Sequence, residues 1–496
     1  MKHFLGKIHL RWCKKCNLPV LDKTCNICKG ETVQVKITPP GDVRPGFPKD
    51  IEMINNILRD QFDIKDDIFK NKVVLLNKTP GVDYMKEIIL DGTVFAILRY
   101  NIEDYTWAIL PTVEGARKIV NAGGFKKIVG IREDVVPYIL ERHASVLRPG
   151  VVYFSQDIKK GDDVIVVVMD EDTEDFKDTQ VVGVGRARMD YQEVMEKDKG
   201  MVVKIRHAEA PREATYLRET GDFEESIEKM IKANEHVIAK YEREALGFIR
   251  NTVERIKKPV VVAYSGGKDS LTVLLLSLKV FRERGIKFDV IFVDTKLEMP
   301  ETLENVREVE ERYNLEIIKI ESEDFWEKLE EYGPPGRDYR WCSEVCKMKP
   351  VERFINSRYK DGCLTFVGLR KYESINRSRK PRIWKSKYIK GQIQCAPILH
   401  WSAMHVWLYL LKNRAPYNKL YKLGFDRVGC YICPAMELGE IELVKRYYPQ
   451  LWGRWERYLR EYAEKNNLDE DWIRGGWRWR RREYYEGRIW KGRGRS

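Results

Sequence analysis

The 496-residue sequence predicts an α/β protein built on a doubly wound parallel sheet, preceded by three smaller units. First, the β-branched apolar run at residues 260–263 ends in a glycine-rich turn and continues into a helical pattern. Second, further apolar strands at residues 288–294, 315–320 and 364–368 alternate with helical patterns. Such alternation is typical of an open sheet with helices on both faces. We expect this domain to cover residues 258–465.

The composition limits the class of protein. A hydrophobic content of 43% supports real cores, and the length allows ~3 domains. No apolar run approaches the ~18 residues of a membrane span, and the N-terminus lacks a signal-peptide core, so we expect a cytoplasmic protein. A net charge of +13 favours a polyanionic partner over a merely solvated basic surface. Eight of the ten cysteines form close pairs, which in a cytosolic chain favours metal sites over disulfides.

The first unit, residues 1–38, holds two C-x2-C pairs, Cys13 with Cys16 and Cys25 with Cys28. Four thiolates on two short turns close a tetrahedral zinc site, and the metal would supply folding energy that so short a segment lacks. We therefore predict a zinc ribbon that acts as a structural clip. A rubredoxin-like iron site and unmetallated thiols remain as alternatives, and a ribbon can also touch nucleic acid.

A Pro- and Gly-rich linker at residues 39–50 leads into a small α+β module, predicted at residues 45–140. A helical segment comes first, and apolar strands follow. Asp91-Gly92 between two of these strands predicts a tight hairpin.

Residues 141–212 carry several short strands and predict a β-barrel. The motifs Leu147-Arg-Pro-Gly-Val, Ile158-Lys-Lys-Gly-Asp-Asp-Val and Val182-Gly-Val-Gly-Arg-Ala resemble the PUA domain, a small RNA-binding barrel. The preceding Val74-Leu-Leu-Asn-Lys-Thr-Pro-Gly-Val-Asp-Tyr resembles the domain that precedes PUA in archaeal tRNA-modifying transglycosylases. The resemblance implies structured RNA as partner, with tRNA as the expected form, read mainly by shape. A generic barrel without a ligand is the alternative.

Two further segments flank the parallel-sheet domain. Residues 221–257 are charged and helical in period, and we expect a solvated connecting helix. The tail, residues 466–496, interleaves Arg with aromatic residues such as Trp477 and Trp490. This pattern suits phosphate contact and base stacking, or else a disordered basic tail.

The glycine-rich turn after the first strand is the strongest single motif, and it reads Ser265-Gly266-Gly267-Lys268-Asp269-Ser270. Glycines permit a sharp turn and a close backbone approach. The free N–H groups and dipole of the following helix favour an anion, and Lys268 adds a cation. Asp269 is a candidate Mg²⁺ ligand or helix cap. The motif is not a Walker A loop and resembles the PP-loop of adenine nucleotide α-hydrolases, which implies ATP with Mg²⁺.

Ligands in such sheets lie beyond the carboxyl ends of the strands, which here brings Asp294, Gly368 and Arg370 towards the loop. Gly368-Leu-Arg370-Lys-Tyr-Glu-Ser-Ile-Asn-Arg377 and Gly429-Cys430-Tyr-Ile-Cys433-Pro resemble the PAPS reductase family. The resemblance implies that Arg370 and Arg377 bind phosphate or sulfate oxygens as planar forks. A surface salt bridge is the alternative for either arginine.

The pair Cys430 and Cys433 matches a second pair, Cys342 and Cys346. In adenylylsulfate reductases of this family, two distant cysteine pairs hold a 4Fe–4S cluster, so the resemblance implies such a cluster. The first pair here is C-x3-C rather than adjacent, and four thiolates equally suit zinc.

Three functions follow from these features. The first is an RNA-modifying enzyme in which Lys268 and Arg370 support adenylylation, while Asp269 and Asp294 help to place Mg²⁺. A sulfur donor then displaces AMP. The second is a sulfonucleotide reductase, although no cysteine follows Cys433, where the nucleophile of those reductases is expected. The third is an RNA-binding scaffold without catalysis, which an intact PP-loop disfavours.

Overall fold

A computed structural model describes residues 7–142, 144–169 and 176–481 of the chain. Residues 482–496, and with them Trp490 and the second half of the predicted basic tail, lie outside the described part. Within that part, no helix combines the length and apolar character needed to cross a bilayer.

The N-terminal unit is a three-stranded antiparallel sheet in the order β2-β1-β3. Its strands are β1 (Arg11–Cys13), β2 (Leu18–Val20) and β3 (Val33–Gln34). The unit is docked rather than free, because Asn17 Nδ2 donates to Asp91 Oδ1 at 2.9 Å. The cysteine turns are therefore attached to the next domain.

The second unit is a five-stranded antiparallel sheet in the order β4-β5-β6-β7-β8, covered by two helices. Its elements are β4 (Val43–Pro45), α1 (Pro48–Phe62), β5 (Val74–Lys78), β6 (Met85–Leu90), β7 (Thr93–Asn101), β8 (Thr106–Pro111) and α2 (Val113–Asn121). Asp91 and Gly92 have φ angles of 50° and 77°, as a two-residue hairpin turn with two left-handed positions requires. The linker predicted at residues 39–50 supplies β4, which pairs with β5.

The third unit is a six-stranded sheet in the order β10-β14-β13-β12-β9-β11. Its elements are β9 (Ile128–Ile131), α3 (Val136–Arg142), β10 (Val146–Leu147), β11 (Val151–Phe154), β12 (Asp163–Val168), β13 (Val181–Ala187), α4 (Tyr191–Glu196) and β14 (Met201–Ala208). Strand β9 precedes the boundary that we place at residue 141 from the sequence. It belongs to this sheet because it is fully buried and pairs in parallel with β12.

Two helices connect the N-terminal units to the parallel-sheet domain, α5 (Phe223–Ala233) and α6 (Glu235–Arg255). They differ from the solvated single helix that the charge pattern suggests. Their apolar faces join the core that contains the parallel sheet. Asn234 lies between them and holds the cysteine-rich unit, since its Nδ2 donates to Pro19 O at 2.9 Å and its Oδ1 accepts from Leu21 N at 2.8 Å.

The last unit is a doubly wound sheet in the order β17-β16-β15-β18-β20-β19, parallel except for the edge strand β19. Its strands are β15 (Val260–Ala263), β16 (Phe288–Asp294), β17 (Ile317–Glu321), β18 (Leu364–Phe366), β19 (Ile383–Lys385) and β20 (Ile393–Cys395). Its helices are α7 (Lys268–Arg284), α8 (Pro300–Tyr313), α9 (Phe325–Tyr332), α10 (Trp341–Ser343), α11 (Lys349–Arg358), α12 (Ile375–Ser378), α13 (Ala403–Lys412), α14 (Leu438–Tyr447), α15 (Pro449–Lys465) and α16 (Glu470–Arg474). The chain reverses its winding between β15 and β18, and a crevice opens at such a point.

The start of the predicted tail is part of the folded core. Trp477 is 1% exposed, and its ring lies 5.1 Å from that of Trp455. Arg478 is also buried and donates to Met436 O at 2.7 Å. These two residues are therefore used in packing.

Candidate active site

The PP-loop joins β15 to α7 and is held by its own hydroxyls. Ser265 N donates to Ser270 Oγ at 3.2 Å, and Ser270 Oγ donates to Gly267 O at 2.9 Å. Gly266 has a φ of 73°, which a side chain would strain. Outside the loop, Lys268 N donates to the hydroxyl of Tyr421 at 3.0 Å. The loop is thus preorganised at a helix N-terminus, where backbone N–H groups favour an anion.

Gly368 brings the end of β18 against this loop. A Cβ atom at Gly368 would lie 2.5 Å from Ser270 N and 2.6 Å from the carbonyl carbon of Asp269. Only glycine permits that approach. The carboxyl ends of β15 and β18, between which the winding reverses, therefore meet in one site, as the sequence predicts.

Arg370 is 1% exposed and its guanidinium is occupied by carboxylates. Nε donates to Asp269 Oδ1 at 2.6 Å, while Nη1 and Nη2 donate to the two oxygens of Asp42 at 2.7 and 2.9 Å. Burial alone would lower the pKa of Arg370, but Asp269 and Asp42 raise it well above its usual value. The fork that we expect on phosphate or sulfate is therefore bound to Asp42, and Arg370 is placed to position the loop.

Asp269 lies between two cations. Its Oδ2 accepts from Lys268 Nζ at 2.9 Å, and its Oδ1 accepts from Arg370. Burial would raise the pKa of Asp269, but Arg370 and Lys268 lower it. A carboxylate already matched by two cations does not fit a Mg²⁺ ligand in this arrangement.

Asp294, the second candidate Mg²⁺ ligand, ends β16, and its Oδ1 accepts from Lys296 N at 2.9 Å. It does not line the cavity that contains Asp269. Among the described residues, the two carboxylates thus do not line this cavity together.

A cavity of about 820 Å³ opens in front of the loop, and we call it the PP-loop cavity. The parallel-sheet domain supplies one wall, which includes Arg377. The α+β module supplies the opposite wall through the end of β5 and the loop after it, comprising Leu76, Lys78, Thr79, Pro80 and Gly81. The cavity therefore belongs to both halves of the chain, which the sequence alone did not indicate.

Buried ion pairs hold these two walls together. Asp426 Oδ1 accepts from Arg44 Nε at 2.7 Å and from Lys86 Nζ at 2.8 Å, and Arg44 also pairs with Asp50 at 2.7 Å. Lys78 Nζ lies 2.9 Å from Glu437 Oε2. Removal of Asp426 would leave the buried charges of Arg44 and Lys86 without this partner, so the Asp426 pairs fix the position of the module against the domain. The Lys78–Glu437 pair contributes less, because the Lys78 side chain is 43% exposed.

A second, smaller cavity of about 120 Å³ is lined by the four residues Cys342, Cys346, Cys430 and Cys433, and we call it the thiol cavity. Cys346 lies on a π-helical turn, Glu344–Met348, a form common at functional sites. Burial raises the pKa of Cys342 to about 11. The two distant cysteine pairs thus converge, as the resemblance implies.

The N-terminal cysteines are closer together. The four sulfurs of Cys13, Cys16, Cys25 and Cys28 all lie within 4.8 Å of one another, with 3.4 Å between those of Cys13 and Cys28. Four thiolates at ~2.3 Å from one tetrahedral ion fit this spacing. Over the described ranges, no other group of three or more possible ligands is as tight. The thiol cavity is therefore wider than a single-ion site of the ribbon type.

Asp42, Lys78, Tyr421 and Arg427 are site residues that the sequence did not reveal. Asp42 lies in the Pro- and Gly-rich linker. Lys78 lies in the motif that resembles the domain preceding PUA, and nothing in that motif points to the nucleotide loop. For Arg427 the sequence does offer a signal, because this residue lies three residues before Cys430 of a predicted metal site.

Comparison with known proteins agrees with this architecture. Residues 259–436 match the phosphoadenosine phosphosulfate reductase domain, and residues 127–208 match the PUA domain. The fold and site therefore define a PP-loop protein with a PAPS reductase-type domain joined to a PUA domain.

Over 490 aligned residues, the chain is 50% identical to uncharacterized protein MJ0066 of Methanocaldococcus jannaschii. The aligned region covers 97% of this chain and 98% of that protein. The chain is 31% identical over 437 residues to uncharacterized protein MJ0973 of the same organism, covering 87% and 93% of the two chains. The chain belongs to the family of these two proteins. Adenosine 5′-phosphosulfate reductase of Oceanobacillus iheyensis is 29% identical over 181 residues, 35% of this chain and 70% of that enzyme.

Proposed function

We propose that the chain is an ATP-dependent enzyme that adenylylates an oxygen of RNA, with tRNA as the first RNA to test, and replaces that oxygen with sulfur. The observation that carries this proposal is the shared cavity. The α+β module, which adjoins the PUA domain in the chain, forms one wall of the cavity that contains the PP-loop. An RNA held by the PUA side would therefore have a route to the nucleotide.

The nucleotide would lie with its phosphates on the loop. Backbone N–H groups of Gly266 and Gly267 and the ammonium of Lys268 are the groups that favour a phosphate there. Ser265 and Ser270 line the same cavity and add hydroxyls, and Arg377, which is paired with Glu373, adds a further cation to its lining. The cytoplasm would supply the ATP.

In the first step, an RNA carbonyl oxygen attacks the α-phosphorus of ATP. The bond from that phosphorus to the bridging oxygen breaks, pyrophosphate leaves with the electron pair, and the proton of the neighbouring base nitrogen passes to solvent. The loop N–H groups and Lys268 stabilise the charge that develops on pyrophosphate, a type of contact worth ~10²–10³ in rate.

In the second step, hydrosulfide, or a donor that delivers it, attacks the activated carbon. A C–S bond forms, the C–O bond breaks, and AMP leaves with the electron pair, which gives the thiocarbonyl after tautomerisation. The thiol cavity adjoins the PP-loop cavity, since Arg427 and Val428 line both. We propose that its four cysteines hold an iron–sulfur cluster, with zinc as the alternative, because their wider spacing suits a cluster better than one ion.

A second candidate function is reduction of a sulfonucleotide, favoured by the similarity to adenosine 5′-phosphosulfate reductase. There, one thiol attacks the sulfur and AMP leaves with the electron pair. A second thiol then attacks the sulfur atom of the first, which releases sulfite and forms a disulfide. An external dithiol would serve as the reductant.

One experiment separates the two functions. The anaerobically purified protein is given ATP, sulfide and bulk tRNA, and the digested RNA is analysed by mass spectrometry for a thionucleoside. In parallel, sulfite is measured from adenosine 5′-phosphosulfate with dithiothreitol. We expect a thionucleoside and pyrophosphate in the first reaction. Sulfite in the second reaction, with neither product in the first, would overturn the RNA proposal.

A further inference from the structure

We propose that Arg427 is a binding residue for a tetrahedral oxyanion attached to the nucleotide α-phosphate, and that it directs this group from the PP-loop cavity towards the thiols. The inference rests on the proposed nucleotide site, but it holds for either of the two candidate reactions. It assigns a role to a residue that neither the loop motif nor the cysteine pairs include.

Arg427 lies between the two cavities. Its side chain lines both the PP-loop cavity and the thiol cavity, and its Nη2 lies 3.7 Å from Cys433 Sγ. The residue is solvent-exposed even though it lies between two cavities, so its guanidinium can be reached by a ligand. An anion bound there would lie between the loop and the sulfur atoms.

The charge around Arg427 distinguishes it from the other cations that line the PP-loop cavity. Every other cation that lines the PP-loop cavity has a carboxylate partner within salt-bridge distance. The pairs are Arg44–Asp50, Lys78–Glu437, Lys86–Asp426, Lys268–Asp269, Arg370–Asp42 and Arg377–Glu373. Among the residues that the structure describes, Arg427 alone in this cavity lacks such a partner. Its charge is therefore available for a ligand.

The backbone next to Arg427 is held in place by contacts with the α+β module. The preceding residue, Asp426, is fixed by Arg44 and Lys86 of the α+β module, and Arg44 Nη2 also donates to Gly424 O at 3.4 Å. These contacts hold the backbone on the N-terminal side of Arg427, while Cys430 follows within three residues. A side chain on a fixed backbone loses less entropy when it binds a ligand.

The chemistry of the ligand follows from the guanidinium. Its planar fork matches the oxygens of a phosphate or a sulfate, and lysine cannot reproduce that two-point contact. Two sources supply such a group here. One is the β-phosphate of ATP, and the other is the sulfate of adenosine 5′-phosphosulfate.

Calorimetric titration with AMP, ATP and adenosine 5′-phosphosulfate tests the inference without requiring turnover. The variants are Arg427→Met, Arg427→Lys and, as a matched control, Arg457→Met, which replaces an exposed arginine that lines neither cavity. We expect R427M to bind AMP within about twofold of the wild type and to bind ATP or the sulfonucleotide at least about tenfold more weakly. R427K should fall between, and R457M should match the wild type.

Each outcome decides the matter. A loss confined to the sulfonucleotide assigns the sulfate, and a loss confined to ATP assigns the β-phosphate. An equal loss for all three ligands makes Arg427 a general nucleotide contact, and no loss removes it from the site; either result overturns the inference. The proposed function is tested by thionucleoside and sulfite formation in the wild type. Its failure can therefore be distinguished from a failure of the Arg427 inference, which is tested by ligand binding.

Discussion

Arg370 and Asp42 form a two-point ion pair, 2.7 Å at Nη1 and 2.9 Å at Nη2, across 328 residues of sequence. Asp42 Oδ1 also accepts from Ala403 N at 2.6 Å, at the start of α13. Through the Nε contact of Arg370 with Asp269, the pair connects the N-terminal linker to the PP-loop. Loop geometry therefore depends on a residue outside the parallel-sheet domain.

The Asp42→Ala variant leaves the guanidinium of Arg370 buried with one carboxylate partner instead of two. We expect it to destabilise the protein by roughly 3 kcal/mol, since breaking a buried pair is costly, and to weaken ATP binding. Urea unfolding and calorimetry measure the two effects. Asp22→Ala is the matched control, because its partner His236 is exposed and such pairs contribute only about 0–1 kcal/mol. Equal stability of the two variants would show that the pair is not structural.

The Gly368→Ala variant tests the close approach of the two strand ends. Its methyl group would meet Ser270 N at 2.5 Å, so the loop must shift and ATP affinity should fall more than about tenfold. Gly247→Ala in α6 is the control, because nothing lies within 4 Å of its added carbon. That change should leave binding intact and add up to about 1 kcal/mol of helix stability. Unchanged ATP affinity in G368A would show that the close contact between residue 368 and the loop does not determine nucleotide binding.

The Asp426→Asn variant tests the ion pairs that join the two walls of the PP-loop cavity. Burial would raise the pKa of Asp426, but Lys86 and Arg44 lower it far below its usual value. A lowered pKa contributes stability above the unfolded-state pKa of about 3.9, and that stability is lost as the pH falls through the folded-state pKa. We expect D426N to be less stable than the wild type at pH 7, by roughly 3–5 kcal/mol.

The difference between D426N and the wild type should narrow once the pH drops below about 4, because the wild type then loses the contribution of its carboxylate. Thermal unfolding followed by circular dichroism from pH 7 to pH 3 measures this. A difference that stays constant over this range would contradict the assigned pKa shift.

The two cysteine sites should be separable by metal analysis. Cys25→Ser removes one ligand of the tight ribbon site, so we expect it to lose one metal equivalent and to lower the unfolding temperature, because a structural metal supplies folding energy. Cys430→Ser should instead lose the metal of the thiol cavity and keep that of the ribbon. Elemental analysis of anaerobic preparations measures both. Loss of all metal in either variant would show that the sites are not independent.

Local patterns predicted the elements and motifs but not their assembly. The loop at Ser265–Ser270 was predictable because strand, turn and helix follow one another in the chain. The parallel pairing of β9 with β12 and the burial of Trp477 on Trp455 depend on contacts between distant residues. Their sequences carry no local signal for those partners. The wall supplied by Lys78 was missed for the same physical reason.

In the proposed reaction, RNA and nucleotide meet in a cavity shared by both halves of the chain. Pyrophosphate release from ATP, measured with and without bulk tRNA, tests it most directly, with Lys268→Ala as the inactive variant and exposed Lys257→Ala as its control. We predict that tRNA raises the rate at least about tenfold in the wild type and in K257A, and that K268A loses roughly 10²-fold. Pyrophosphate release that is unaffected by RNA, or absent altogether, would contradict the claim.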